Sequence, residues 1–115
     1  MDELLPYRRL TDDVCVAPQL TPQAMAEAAR AGFRSVINNR PDFEEGPQQP
    51  THASIEAAAR AAGLEYRFLP VSGSYQSPEE IAAFGRLLEE LPRPILAFCR
   101  SGARSTRLYV AATSN

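Results

Sequence analysis

This 115-residue chain is poor in the residues that hold metals and disulfides: it has two cysteines and one histidine. Cys15 and Cys99 lie in a chain that shows no export signal, so both are expected to stay reduced. No Cys-x-x-Cys or His-x-x-x-His spacing occurs. A structural zinc needs about four ligands, so neither a metal site nor a cofactor is expected. No apolar run approaches the ~20 residues that span a bilayer. The opening "MDELLPYRRL" lacks the basic-then-apolar pattern of a secretory signal. The expected location is the cytoplasm, with no membrane partner. The net charge is −2 and the basic residues form no block, which speaks against a nucleic-acid partner.

What is present suits one globular domain over residues 1–115. Hydrophobic residues make up 44% and charged residues 23%. "YRRL" and "VCVA", parted by a turn, read as a small hairpin. A helix is expected over Pro22–Ala31, with Thr21 as its cap and Gly32 just past its end. "FRSVIN" reads as a buried strand, followed by the long polar loop "NRPDFEEGPQQPTH". A second helix, "ASIEAAARAAG", ends at Gly63, and "LEYRFLPV" is another strand. A third helix is capped by Ser77, with Pro78 first and Glu80 closing a capping box. Ile81, Phe84, Leu87, Leu88 and Leu91 form its apolar stripe. "PILAF" is the last strand, and a closing helix begins within "GARSTRLYVAA". This alternation predicts an α/β domain with a mainly parallel sheet flanked by helices on both faces.

In such sheets ligands sit beyond the C-terminal strand ends. Cys99 falls at that end of "PILAF", facing the N-terminus of the closing helix. Unpaired amides and the helix dipole there favour an anion, and favour thiolate over thiol. Gly102 lets the backbone of Arg100, Ser101, Gly102, Ala103 and Ser105 turn its N–H groups inward as an anion nest. Arg104 adds a planar fork of donors suited to a tetrahedral oxyanion. Ser105 is placed to bond the thiolate or to cap the helix, and Arg100 adds positive potential at the rim. Cys99 is therefore read as a nucleophile with Arg104 as its anion-binding partner. Cys15, alternating with Val14 and Val16, reads as core. His52 reads as a solvated residue at a helix entry.

"CRSGARS", "SVINNRPD", "GLEYRFLPV" and "VAPQLTPQAMAEAARAGF" together resemble the phosphatase-like domain of bacterial beta-lactamase-hydrolase-like proteins. The resemblance covers nearly the whole chain. It implies a compact protein-tyrosine-phosphatase-like fold, with Cys99 as nucleophile and Arg104 as the anion-binding arginine. It implies two activities among members, phosphatase and rhodanese-like sulfurtransferase. It also puts Arg40 and Asp42 on a neighbouring loop near the site. There they stand either as supporting residues, with Asp42 available as a general acid, or as part of a structural Arg40–Asp42 or Arg40–Glu44 pair.

Two departures from the tyrosine-phosphatase pattern weigh on the choice. The spacing is Cys-x4-Arg rather than Cys-x5-Arg, and Phe98 stands where a histidine is usual. The six-residue loop is the rhodanese-type version, which holds a persulfide. The loop "SGSYQSPEE" carries no aspartate to protonate a leaving oxygen, and Glu79 and Glu80 are better explained by the helix start. Sulfur transfer needs no such acid, because sulfite or a thiolate leaves as a stable anion. The favoured expectation is a sulfurtransferase that forms a Cys99 persulfide and passes sulfur to a thiol acceptor such as glutathione. The alternatives are a phosphatase acting through phosphocysteine on a small phosphorylated substrate, and a non-catalytic redox-sensing or anion-binding module.

Overall fold

The computed structural model describes residues 5–114. Five strands form one sheet: β1 (Arg8–Arg9), β2 (Val14–Ala17), β3 (Ser35–Asn38), β4 (Glu65–Phe68) and β5 (Ile95–Phe98). Their order is β1-β2-β5-β3-β4, with β1 antiparallel and every other pairing parallel. Three helices connect the parallel strands, α1 (Ala24–Arg30), α2 (His52–Ala61) and α3 (Pro78–Glu90), and α4 (Ala103–Thr113) follows β5.

Successive strand residues point to opposite faces, and β5 shows how this divides the core. Leu96 and Phe98 join Met25, Ala28, Ile55 and Ala59 beneath α1 and α2. Ile95 and Ala97 join Phe84, Leu88, Leu91 and Leu108 beneath α3 and α4. The helices cover both faces, as an apolar strand in the middle of a parallel sheet requires. Among the described residues no helix is long and apolar enough to cross a membrane.

The element boundaries follow local chemistry. Ser77 Oγ accepts from the Glu80 N–H at 3.1 Å, and Glu80 returns a bond to the Ser77 N–H at 2.8 Å. The capping box is thus complete, with Pro78 in the first turn. Gly32 and Gly63 take φ of +103° and +84° just past α1 and α2. α1 begins at Ala24, two residues later than the sequence pattern suggests. Thr21 still accepts from the Ala24 N–H, through its carbonyl at 3.0 Å and its hydroxyl at 3.2 Å, so Pro22 and Gln23 form a turn before the first regular helical residue.

The four parallel strands end on one rung. Ala17 is paired with Phe98, Phe98 with Asn38, and Asn38 with Phe68. The chain segments leaving that rung build everything described below.

The α3–α4 face rests on Phe84, which is wholly buried. Phe84→Ala is expected to lower unfolding free energy by about 3–5 kcal/mol, read as a lower denaturant midpoint with an unchanged slope. A loss under about 1 kcal/mol would mean that this face does not anchor the helices.

Candidate active site

Cys99 follows β5 directly and is buried, at 1% exposure. Its N–H donates to the Ala17 carbonyl at 3.3 Å, which ties it to the end of β2. The chain then turns through Gly102, whose φ of +94° belongs to the left-handed region that glycine adopts freely. That turn brings the Gly102 N–H to 3.1 Å from Cys99 Sγ. Burial alone would disfavour the thiolate. The N–H and hydroxyl of Ser105, with the N–H groups of Ser101 and Gly102, outweigh it and hold the thiol below its ordinary value. Cys15 shows the contrast. It is also buried, but burial outweighs the pull of Arg9, with Asp13 opposing ionisation, and pushes its thiol up.

The Ser105 hydroxyl carries one proton and has two acceptors in reach. Its bond goes to Asn39 Oδ1 at 2.9 Å, and the Cys99 sulfur lies beside it. A thiolate there competes with Asn39 for that proton. Asn39 is itself immobilised. Its amide donates to the Leu69 carbonyl at 3.0 Å, its N–H to Phe98, and its carbonyl accepts from Val71.

Arg104 lies in the first turn of α4 and is only 7% exposed. Its NH1 donates to the Val71 carbonyl at 3.1 Å and its NH2 to Glu44 Oε1 at 3.2 Å. Its Nε–H is buried with no partner among the described residues. Buried donors are almost always satisfied, so this Nε–H is an exception, on a cation that closes the six-residue loop begun by Cys99. Gly73 makes this placement possible. A Cβ there would stand 3.0 Å from Arg104 NH2, so the guanidinium lies against bare backbone.

The structure brings Cys99, Arg104, Gly102, Ser101 and Ser105 together. Ala103 opens α4, with its N–H bonded to Ser101 Oγ at 3.3 Å. The Arg100 side chain is exposed at the rim and pairs with Glu45 at 3.3 Å. The Arg40–Asp42 pair does not form. Buried Arg40 donates instead to Glu44 at 2.8 Å, Glu45 at 2.7 Å and Gln19 Oε1 at 3.1 Å. Asp42 is engaged elsewhere: its Oδ1 accepts the His52 N–H at 2.7 Å, at the start of α2. His52 is not a freely solvated residue. Its ring stacks on Phe68 with centroids 4.0 Å apart and planes 3° from parallel, and its Nδ1 is buried without a partner among the described residues. The aromatic side chain of Phe68, at the end of the edge strand, holds it there.

Glu44 is the partner of Arg104 hardest to find from sequence. Burial would raise its carboxyl, but the hydrogen bonds and charges of Arg40 and Arg104 hold it below the usual carboxylate range. The one sequence signal was the Arg40–Glu44 spacing, which indicates a local pair and says nothing of Arg104, sixty residues on.

A buried thiol that accepts backbone N–H bonds at the end of a parallel strand, with a buried arginine five residues on and helices on both faces of the sheet, fits the tyrosine-phosphatase-like fold. The chain belongs to the family described as "Beta-lactamase hydrolase-like protein, phosphatase-like domain", whose model matches residues 6–114. A beta-lactamase hydrolase-like protein of Agrobacterium fabrum is 38% identical over 102 residues, covering 89% of this chain. This chain spans only 23% of that relative's length. Among solved structures, a Neisseria meningitidis protein described as a "putative phosphatase" is 29% identical. It superposes with a TM-score of 0.83 over 93% of this chain and 75% of its own. Tk-PTP shares the fold with a TM-score of 0.72 at 22% identity, over 93% of this chain and 69% of its own.

Alkylation by iodoacetamide across a pH series is expected to label Cys99 ahead of Cys15, with a midpoint below that of an ordinary thiol. Ser105→Ala should move the midpoint upward. Since the folded thiol titrates below its unfolded value, stability should rise as pH climbs through that window and fall as pH drops through the folded value. Labelling of Cys15 first, or a midpoint indifferent to Ser105, would contradict the hydrogen-bond account of the thiolate.

Proposed function

We propose that this chain is a cysteine-dependent phosphatase for monoesters whose leaving group departs as an anion, such as aryl phosphates. The observation that carries the reading is the Cys99 thiol held by the N–H groups of Ser101, Gly102 and Ser105, with buried Arg104 closing the same six-residue loop. In the first step the thiolate attacks phosphorus. The S–P bond forms as the ester P–O bond breaks, and the leaving oxygen takes the electron pair. Cradle N–H groups and Arg104 meet the charge on the non-bridging oxygens. Water then attacks the phosphocysteine, releasing phosphate and restoring the thiolate. The family description and the Neisseria relative support this reading over the others.

The restriction to good leaving groups rests on the carboxyl groups. Asp42 caps α2, Glu80 caps α3 and Glu44 is held ionised between two arginines. General acid help is typically worth about 10²–10⁴-fold, so alkyl phosphates should fall behind aryl phosphates by more than their intrinsic reactivities dictate.

A second reading is favoured by the six-residue Cys99–Arg104 loop, which encloses less space than a Cys-x5-Arg loop. In sulfur transfer, Cys99 attacks the outer sulfur of a sulfane donor such as thiosulfate. The S–S bond breaks, sulfite leaves with the pair, and a thiol such as glutathione takes the sulfur from the resulting persulfide. In a third reading the same thiolate senses oxidants without turnover.

A paired assay separates them. Wild type and Cys99→Ser are compared with p-nitrophenyl phosphate and a phosphotyrosine peptide in one arm, and thiosulfate with glutathione in the other. Aryl phosphate turnover that falls more than about 10³-fold in Cys99→Ser is expected. Turnover confined to the sulfur arm, with a +32 Da adduct on Cys99 (one sulfur atom), would replace the phosphatase reading by the second. Equal activity of the variant in both arms would remove Cys99 from the chemistry.

A further inference from the structure

The long loop after β3 is built with care at a point where its own side chains gain nothing. Phe43 takes φ of +63°, a left-handed conformation that is unusual outside glycine, yet its side chain is 64% exposed. Such strain persists when the surroundings demand it. Three further devices hold the loop. Buried Gln49 clamps it, accepting from the Glu45 N–H at 2.9 Å and donating to the Pro41 carbonyl at 2.8 Å. Gly46 donates its N–H to the Phe43 carbonyl at 3.1 Å. Asp42 fastens the loop to α2.

The product of this bracing is the placement of Glu44 and Glu45. Glu44 Oε1 lies 2.8 Å from Arg40 Nε and 3.2 Å from Arg104 NH2. Glu45 Oε1 lies 2.7 Å from Arg40 NH2 and 3.3 Å from Arg100 Nε. The connected groups set the two negative charges of Glu44 and Glu45 against the three positive charges of Arg40, Arg100 and Arg104. Much of the positive charge around the Cys99–Arg104 loop is thus already met, with one carboxylate on Arg104 and the other on Arg100. The Nε–H of Arg104 remains without a partner among the described residues.

We propose that Glu44 and Glu45 are specificity-determining residues that limit the Cys99 site to donors bearing one oxyanion group and exclude polyanions such as polyphosphates. This rests on the reading of Cys99 and Arg104 as an anion-acceptor site, whichever group is then transferred. A single sulfate or phosphoryl group reaches the cradle amides and Arg104 Nε. A second or third charged group on the same donor meets the carboxylates, with their cations already paired.

Protection of Cys99 from iodoacetamide tests this without requiring turnover. Sulfate and tripolyphosphate serve as protecting anions at constant ionic strength, with wild type, Glu45→Gln and Glu44→Gln. The Glu45 side chain is 53% exposed, so its variant should fold normally. In wild type, sulfate is expected to protect at least as well as tripolyphosphate. Removing one carboxylate charge within several ångströms should tighten tripolyphosphate protection about tenfold and sulfate protection about twofold. Equal shifts for the two anions, or no shift while protection itself persists, would overturn the specificity role alone. Absence of protection by either anion in every variant would remove the anion site and the proposal with it.

Discussion

A guanidinium buried to 7% exposure is costly unless its charge is met and its donors are filled. Much of this site can be understood from that constraint on Arg104. The carboxylate of Glu44 answers the charge, and the Val71 carbonyl takes one donor. Gly73 leaves the space in which the planar group lies. Each comes from a different segment: Glu44 from the loop after β3, Val71 and Gly73 from the chain beyond β4, and Arg104 from α4. One buried cation thereby couples three segments that the sheet only brings near one another. Its Nε–H is a buried donor that meets no partner among the described residues.

Much of this architecture was legible in the sequence, because its signals are local. The capping box at Ser77, the glycines after α1 and α2 and the apolar alternation of β5 lie within a few residues of the structure they direct. The cradle was legible for the same reason: Cys99, Gly102, Arg104 and Ser105 are neighbours in the chain. The supporting residues were not. Asn39 meets Ser105 across sixty-six positions and Glu44 meets Arg104 across sixty. No periodicity encodes such pairings. His52 failed as a reading because its partner, Phe68, lies on an edge strand whose neighbours the sequence does not name. Asp42 looked available because a cap that acts back from a loop ten residues earlier has no fixed spacing.

The balance between phosphorus and sulfur moved for reasons of different kinds. Loop length and the missing aspartate speak of the first coordination around the transferred atom, and they favoured sulfur. Kinship speaks of the whole domain, and it favours phosphate. Both readings place the reaction at Cys99. The acidic loop bears on either chemistry alike, since Glu44 and Glu45 occupy three arginines around the Cys99–Arg104 loop.

β5 is hydrogen-bonded on both sides, to β2 and to β3, and Cys99 follows it without an intervening residue. The sulfur therefore sits at the tip of a doubly paired segment that resists local unfolding. The loops that carry Glu44 and Gly73 have no such double support. They are held by side-chain contacts instead, Glu44 and Gly73 each lying against Arg104, so the surroundings of the sulfur depend on one charge while its own position depends on the sheet.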